Sequence, residues 1–108
     1  MLDPLADLRA RFAVRTIERV GALRTAVEQV AVHPSALAQI VDLAHQLAGS
    51  AGTFGHPLLS QAAATLEAVA RQRCDSPAPP DAGVLKQHLS QIESCAATLA
   101  APSRLSMA

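Results

Sequence analysis

The sequence predicts an all-α protein that folds as an antiparallel, up-and-down four-helix bundle. Half of the 108 residues are hydrophobic but only 2% are aromatic, so the core must consist of aliphatic side chains and alanine, which favour helices. Apolar residues recur at spacings of three and four in four segments, as on the buried face of a helix. Short breaks rich in proline or glycine separate the segments and would make consecutive helices antiparallel neighbours. The length fits one domain, residues 1–108.

The first predicted helix covers residues 4–30. Asp3 is a good N-cap and Pro4 suits the first helical position. Its apolar residues keep a broadly helical spacing and are expected to face the core: Leu5, Leu8, Phe12, Ile17, Val20, Leu23, Val27 and Val30. The break follows at Pro34, because proline disfavours helical geometry in the residue before it, His33.

The other three helices are predicted at residues 35–54, 57–74 and 82–99. Gly55 is a candidate for the left-handed residue that ends the second helix, and Pro57 suits the start of the third. Three prolines between Asp75 and Asp81 predict a loop, and the tail 101–108 is expected to be loose. In the second helix, one stripe should be buried: Leu37, Ile40, Ala44, Leu47, Ala51 and Phe54.

Composition excludes several classes of function. Nine basic and nine acidic residues give no net charge, which argues against nucleic acid or an anionic membrane as the main partner. No apolar run approaches the roughly 20 residues that span a bilayer, and no secretion signal is evident, so we expect a cytoplasmic protein. Cys74 and Cys95 should be reduced thiols, because a hairpin of the last two helices would hold them apart.

A second stripe of the second helix is almost bare. It carries His45, Ala48, Gly49 and Gly52, about a third of a turn from the buried stripe at roughly 100° per residue. Each helical glycine costs about 1 kcal/mol relative to alanine, yet glycine permits close approach of another backbone. We therefore expect an exposed imidazole on a smooth surface where another protein docks, with Val41 at its edge. The alternative is an ordinary surface histidine beside packing glycines.

The run AHQLAGSAGTFG, followed by Leu59 and the pair Leu66-Glu67, resembles the histidine-containing phosphotransfer (HPt) family. The family signature is H-x-L-K-G-S, then a glycine, a leucine and a leucine-glutamate pair. The motif spans about a quarter of the chain, and nine residues match it: His45, Leu47, Gly49, Ser50, Ala51, Gly55, Leu59, Leu66 and Glu67. One position departs, because Ala48 stands where the family has lysine. The resemblance implies the four-helix bundle and a phosphoryl group carried on His45.

A histidine that attacks phosphorus needs a lone pair on one ring nitrogen, so the other should hold the proton and donate it to an acceptor. Glu67 is the candidate acceptor, since a turn at Gly55 brings the third helix back along the second, and family members from chemotaxis kinases pair an acid there with the histidine. Arg71 could support a phosphoryl oxygen, but its pairing with Glu67 at i,i+4 is favoured. Ala48 should weaken electrostatic support for the phosphoryl dianion without removing the nucleophile.

The sequence has no phosphate-cradling glycine loop and no compact set of metal ligands, so His56 and His88 are left unassigned and no cofactor or metal is expected on this chain. The resemblance implies that Mg²⁺ belongs to the receiver domain of a response regulator. The expected partners are such receivers and a hybrid histidine kinase, and the chain is expected to be a monomer without ATP-dependent kinase activity. The alternative is an unphosphorylated scaffold or inhibitor that binds receivers or a kinase.

Overall fold

A computed structural model describes residues 5–76 and 82–100 of the chain, and these residues form a four-helix bundle. The helices are α1 (Ala6–Gln29), α2 (Ala36–Thr53), α3 (Pro57–Cys74) and α4 (Ala82–Ala100). Each predicted helix is present, and its bounds agree within two residues. The predicted cap Asp3-Pro4, the loop from residue 77 to 81 and the tail 101–108 lie outside the described residues.

The turn between α2 and α3 has the predicted chemistry. Gly55 has φ +79°, the left-handed conformation that favours glycine at a helix end. The backbone N–H of His56 donates to the carbonyl of Ala51 at 2.8 Å, which satisfies a carbonyl left open where α2 ends. Pro57 then begins α3, where its missing N–H has no helical partner to lose. This tight turn sets the level at which α3 passes α2.

Each helix packs against two others, in the order α1, α2, α3, α4 and back to α1. Phe12 stacks on Phe54 and Arg19 donates to Ser50, so residue numbers increase along α1 in the direction in which they decrease along α2. This is the order expected of antiparallel neighbours. The core draws on all four helices, and its largest fully buried side chains are aliphatic except for Thr16: Leu23, Val27, Val30, Ile40, Leu47, Leu66, Leu85 and Ile92.

The buried face of α1 differs from the prediction. Leu5, Leu8 and Ile17 were expected in the core, but they are 54%, 46% and 50% exposed. Leu5 and Leu8 lie on the core-facing side of α1, but they precede Phe12, which already packs on the α2–α3 turn, so this part of α1 extends past the described residues of α2 and α3. Ile17 lies about 100° around α1 from the buried Thr16.

The thiols of Cys74 and Cys95 are both free, the first exposed and the second half-buried. No helix in the described part of the chain has the length and apolar character needed to cross a membrane.

Candidate functional site

His45 lies on the side of α2 that borders α3, and its side chain is 71% exposed. The predicted buried stripe places it there: Leu37, Ile40, Ala44, Leu47 and Ala51 are all buried, and Phe54 is half-buried. With that stripe in the core, the helical period leaves position 45 at the boundary between the seam and solvent. The imidazole is therefore held beside α3 with much of its ring accessible.

Glu67 of α3 contacts the imidazole from the seam. Its carboxylate oxygens Oε2 and Oε1 lie 3.1 and 3.3 Å from Nδ1 of His45. An ionised carboxylate only accepts hydrogen bonds, so in neutral imidazole this contact favours the tautomer with the proton on Nδ1. Nε2 then keeps its lone pair. The side chain of Glu67 is 15% exposed, so the acceptor is largely buried while the histidine is open.

Arg71 holds the same carboxylate from one helical turn further along α3. Its Nε and Nη2 donate to Oε2 of Glu67 at 3.1 and 2.7 Å. The favoured i,i+4 pairing is thus present in the structure, and Oε2 accepts from both Arg71 and His45. The hydrogen bonds from Arg71 lower the pKa of Glu67 below its ordinary value; partial burial opposes this, and His45 adds to the lowering. Glu67 is therefore an ionised acceptor at neutral pH.

The surface beside His45 consists of small residues. Gly49 and Gly52 are exposed and Ala48 is half-buried. A Cβ on Gly49 would meet nothing within 4 Å, and one on Gly52 would lie 3.5 Å from Oγ of Ser60, which is an ordinary contact. Packing within the described residues therefore requires neither glycine. We call Ala48, Gly49 and Gly52 the small-residue surface.

Val41 does not join this surface. It is 8% exposed and packs in the core, which corrects the expectation that it would contact a partner. Val41 lies one helical turn before His45, in the groove that α2 forms with the last turn of α3. The other histidines lie apart from the site: His56 stacks on Phe12 at the end of the bundle, and His88 lies in the groove between α3 and α4.

Sequence reasoning missed Ser60. Its hydroxyl donates to the backbone carbonyl of Ala48 at 2.9 Å, which ties α3 to α2 beneath the small-residue surface. The signal was available, because a small polar residue stands one turn after the start of α3 on the side that faces α2. No three His, Cys, Asp or Glu side chains among residues 5–76 and 82–100 are grouped so that they could hold a metal ion.

Comparison with protein families agrees with this arrangement. The family model described as "Hpt domain" matches residues 7–95, which is most of the chain. The chain belongs to the Hpt domain family. The general function of this Hpt domain is therefore histidine phosphotransfer in a phosphorelay, and its bundle is the fold of that family. Comparisons with curated proteins and with solved structures found no match.

Proposed function

We propose that this Hpt domain is a phosphate carrier whose His45 accepts a phosphoryl group from a receiver aspartate and passes it to a second receiver. A kinase domain is the less favoured donor. One observation carries the assignment: Nδ1 of His45 contacts a carboxylate at 3.1 Å while the ring is 71% exposed. A histidine held in this way has an oriented, accessible Nε2.

In the proposed transfer, the Nε2 lone pair forms an N–P bond as the P–O bond to the donor aspartate breaks. The aspartate leaves as a carboxylate. Because Nδ1 keeps its proton, the imidazole becomes positively charged as the bond forms, and the carboxylate of Glu67 stabilises that charge. The transfer to the next receiver is the reverse of these events. Mg²⁺ is expected in the partner receiver and is not assigned to this chain.

We propose that Arg71 keeps the carboxylate of Glu67 in place. Its two donors on Oε2 restrict the rotation of that group and favour its ionised form. With alanine at position 48, Arg71 is also a cation that an incoming phosphoryl group meets near His45, since both contact one oxygen of Glu67. Its ion pair is 60% exposed on the arginine side, so its separate contribution is small.

The small-residue surface is the proposed docking site for receivers. Ala48, Gly49 and Gly52 leave no side chain beyond a methyl group in the way of a second backbone. Ser60 fixes α2 and α3 at this level through the carbonyl of Ala48. A receiver that docks here can bring its aspartyl phosphate to Nε2 without displacing any large side chain of these three positions.

The test is phosphoryl transfer from a panel of radiolabelled, phosphorylated receiver domains. We expect acid-labile label on the wild-type chain and none on His45→Gln. His33→Gln is the matched control, because His33 is also exposed but lies in the α1–α2 turn; it should label like the wild type. Equal labelling of His45→Gln would contradict the assignment.

The alternative is a scaffold that binds receivers or a kinase without being phosphorylated. It predicts that receivers bind the chain without labelling it, and that the effect of the chain on its partner survives in His45→Gln. A carrier loses that effect in the same variant. If receivers bind the chain without labelling it, the alanine at position 48 is the leading reason for the missing transfer.

A further inference from the structure

The outer face of α1 carries an apolar stripe that no described helix covers. Ala10, Val14, Ile17 and Gly21 recur at spacings of four, three and four, and all are exposed. Val14 and Ile17 are 56% and 50% exposed, among the most exposed large hydrophobic residues of the described chain. The stripe points away from the buried side of α1. Alternating spacings of four and three are those of a seam between two paired helices.

Nothing within the described chain requires a glycine at position 21. It lies in the interior of α1, where glycine costs about 1 kcal/mol relative to alanine. Its φ is not positive, and an added Cβ would meet nothing within 4 Å. Neither backbone conformation nor packing inside the bundle therefore requires a glycine. The remaining structural use of a helical glycine is close approach by a backbone from outside.

We infer that this face is an interface between two copies of the chain, with the two α1 helices antiparallel. In that alignment, Val14 of each copy meets Ile17 of the other, and Ala10 meets Gly21. The two central layers contain the large side chains, and the outer layers contain small ones that let the helices approach. The contact is isologous, as in most homodimers.

The flanks of the stripe are self-complementary in the same alignment. Arg11 and Glu18 lie on one flank, seven residues apart, so an antiparallel pair places Arg11 of each copy opposite Glu18 of the other. Ala13 and Val20 lie on the other flank, which is apolar and meets itself. A parallel pair would set the charged flank against the apolar one. Arg11 contacts Asp7 within α1 at 3.0 Å, but both side chains are at least 70% exposed, so this contact is weak and exchangeable.

The interface leaves the phosphorelay site open. Ser50, which accepts from Arg19 of α1, lies about 140° around α2 from His45, and His45 borders α3 instead. Both copies would therefore expose His45. The inference does not depend on the proposed function, and it departs from the monomer expected from the sequence.

The test is the molar mass of the full chain by sedimentation equilibrium over a wide range of concentration, up to millimolar. We expect reversible association to a dimer. Ile17→Glu should raise the dissociation constant at least about tenfold, because it introduces a charge at the centre of the seam. Leu58→Glu is the matched control, since Leu58 is 72% exposed on α3 and lies outside the stripe; it should dimerise like the wild type.

A charge exchange tests the alignment separately. Arg11→Glu and Glu18→Arg should each weaken the dimer, and the double variant should restore it, because the opposite charges meet again. Helical content by circular dichroism identifies any variant that fails to fold, and Ile17 is exposed enough for its replacement to be tolerated. A wild-type chain that stays monomeric throughout would overturn the inference. So would a dimer unaffected by Ile17→Glu, or a double variant no better than either single one.

Discussion

The open faces of α2 and α1 differ in what they present to solvent. The α2 face carries a histidine among glycine and alanine, and the imidazole contacts a carboxylate from α3. The α1 face carries Val14 and Ile17, each at least half exposed. Small residues let a partner approach without burying much apolar surface, which suits short-lived contacts. Burial of exposed branched side chains by a partner stabilises the complex for as long as the partner covers them, which suits a lasting helix pair.

The largest effects should separate the buried face of α2 from its open face. Leu47→Ala removes a fully buried side chain and should lower the free energy of unfolding by about 2–5 kcal/mol. Gly49→Ala should instead raise it by up to about 1 kcal/mol, because alanine favours helix and its Cβ meets nothing within 4 Å. Urea denaturation measures both. If Gly49→Ala destabilised the chain, the glycine would be required by the fold, and it would no longer support the proposed docking surface.

The buried face of α2 was predictable because neighbouring helices pack against that face along the length of the helix. All residues of its predicted buried stripe except Phe54 are buried, and the contact of Glu67 with His45 follows from the short turn at Gly55. The α1 helix was less predictable, since periodicity identifies an apolar face but not where the neighbouring helices end. Leu5 and Leu8 therefore stay exposed. Ser60 was missed because its position on α3 indicates only that it faces α2, and not which backbone carbonyl of α2 its hydroxyl contacts.

The next largest effect should be on the rate of phosphoryl transfer when Glu67, the carboxylate that contacts His45, is replaced. Glu67→Gln keeps an acceptor for Nδ1 but loses the negative charge, so phosphoryl transfer should slow about tenfold to hundredfold, the kinetic equivalent of one charged hydrogen bond. Quenched-flow transfer from one phosphorylated receiver measures the rate. Arg71→Gln is the matched control one turn away and should slow transfer only a few-fold. Equal rates for Glu67→Gln and the wild type would remove Glu67 from the mechanism.

The buried face of α1 contains a polar defect that the buried face of α2 lacks. Thr16 is fully buried, and its Oγ1 has no hydrogen-bond partner among the described residues. Thr16→Val replaces the hydroxyl by a methyl group of similar size and should stabilise the fold by about 1 kcal/mol. Thermal unfolding should show a rise in Tm of about 5 °C for a chain of this size. An unchanged or lower Tm would mean that the hydroxyl has a partner in solution.

A smaller effect should follow from returning the family's lysine to the open face of α2. Ala48→Lys places a cation one helical turn from His45, where it can reach the phosphoryl group. An exposed ion pair contributes up to about 1 kcal/mol, so transfer should accelerate up to about fivefold. Ala48→Gln, which adds length without charge, is the control. Identical rates for all three chains would show that the lysine is not needed here.

The smallest effect is the pH dependence of the Glu67 contact, measured in a His45→Gln background so that the imidazole does not titrate. Arg71 lowers the folded-state pKa of Glu67, so the ionised carboxylate stabilises the fold above the unfolded value of about 4.3. That stabilisation is lost as the pH falls through the unfolded value towards the folded one. It should be below about 1 kcal/mol, since the Arg71 side chain is 60% exposed. Urea denaturation between pH 7 and about pH 3 should show the loss, and adding Arg71→Gln should reduce it. If the free energy of unfolding falls equally with and without Arg71, other carboxylates cause the decrease. The Glu67–Arg71 pair would then make no measurable contribution to stability.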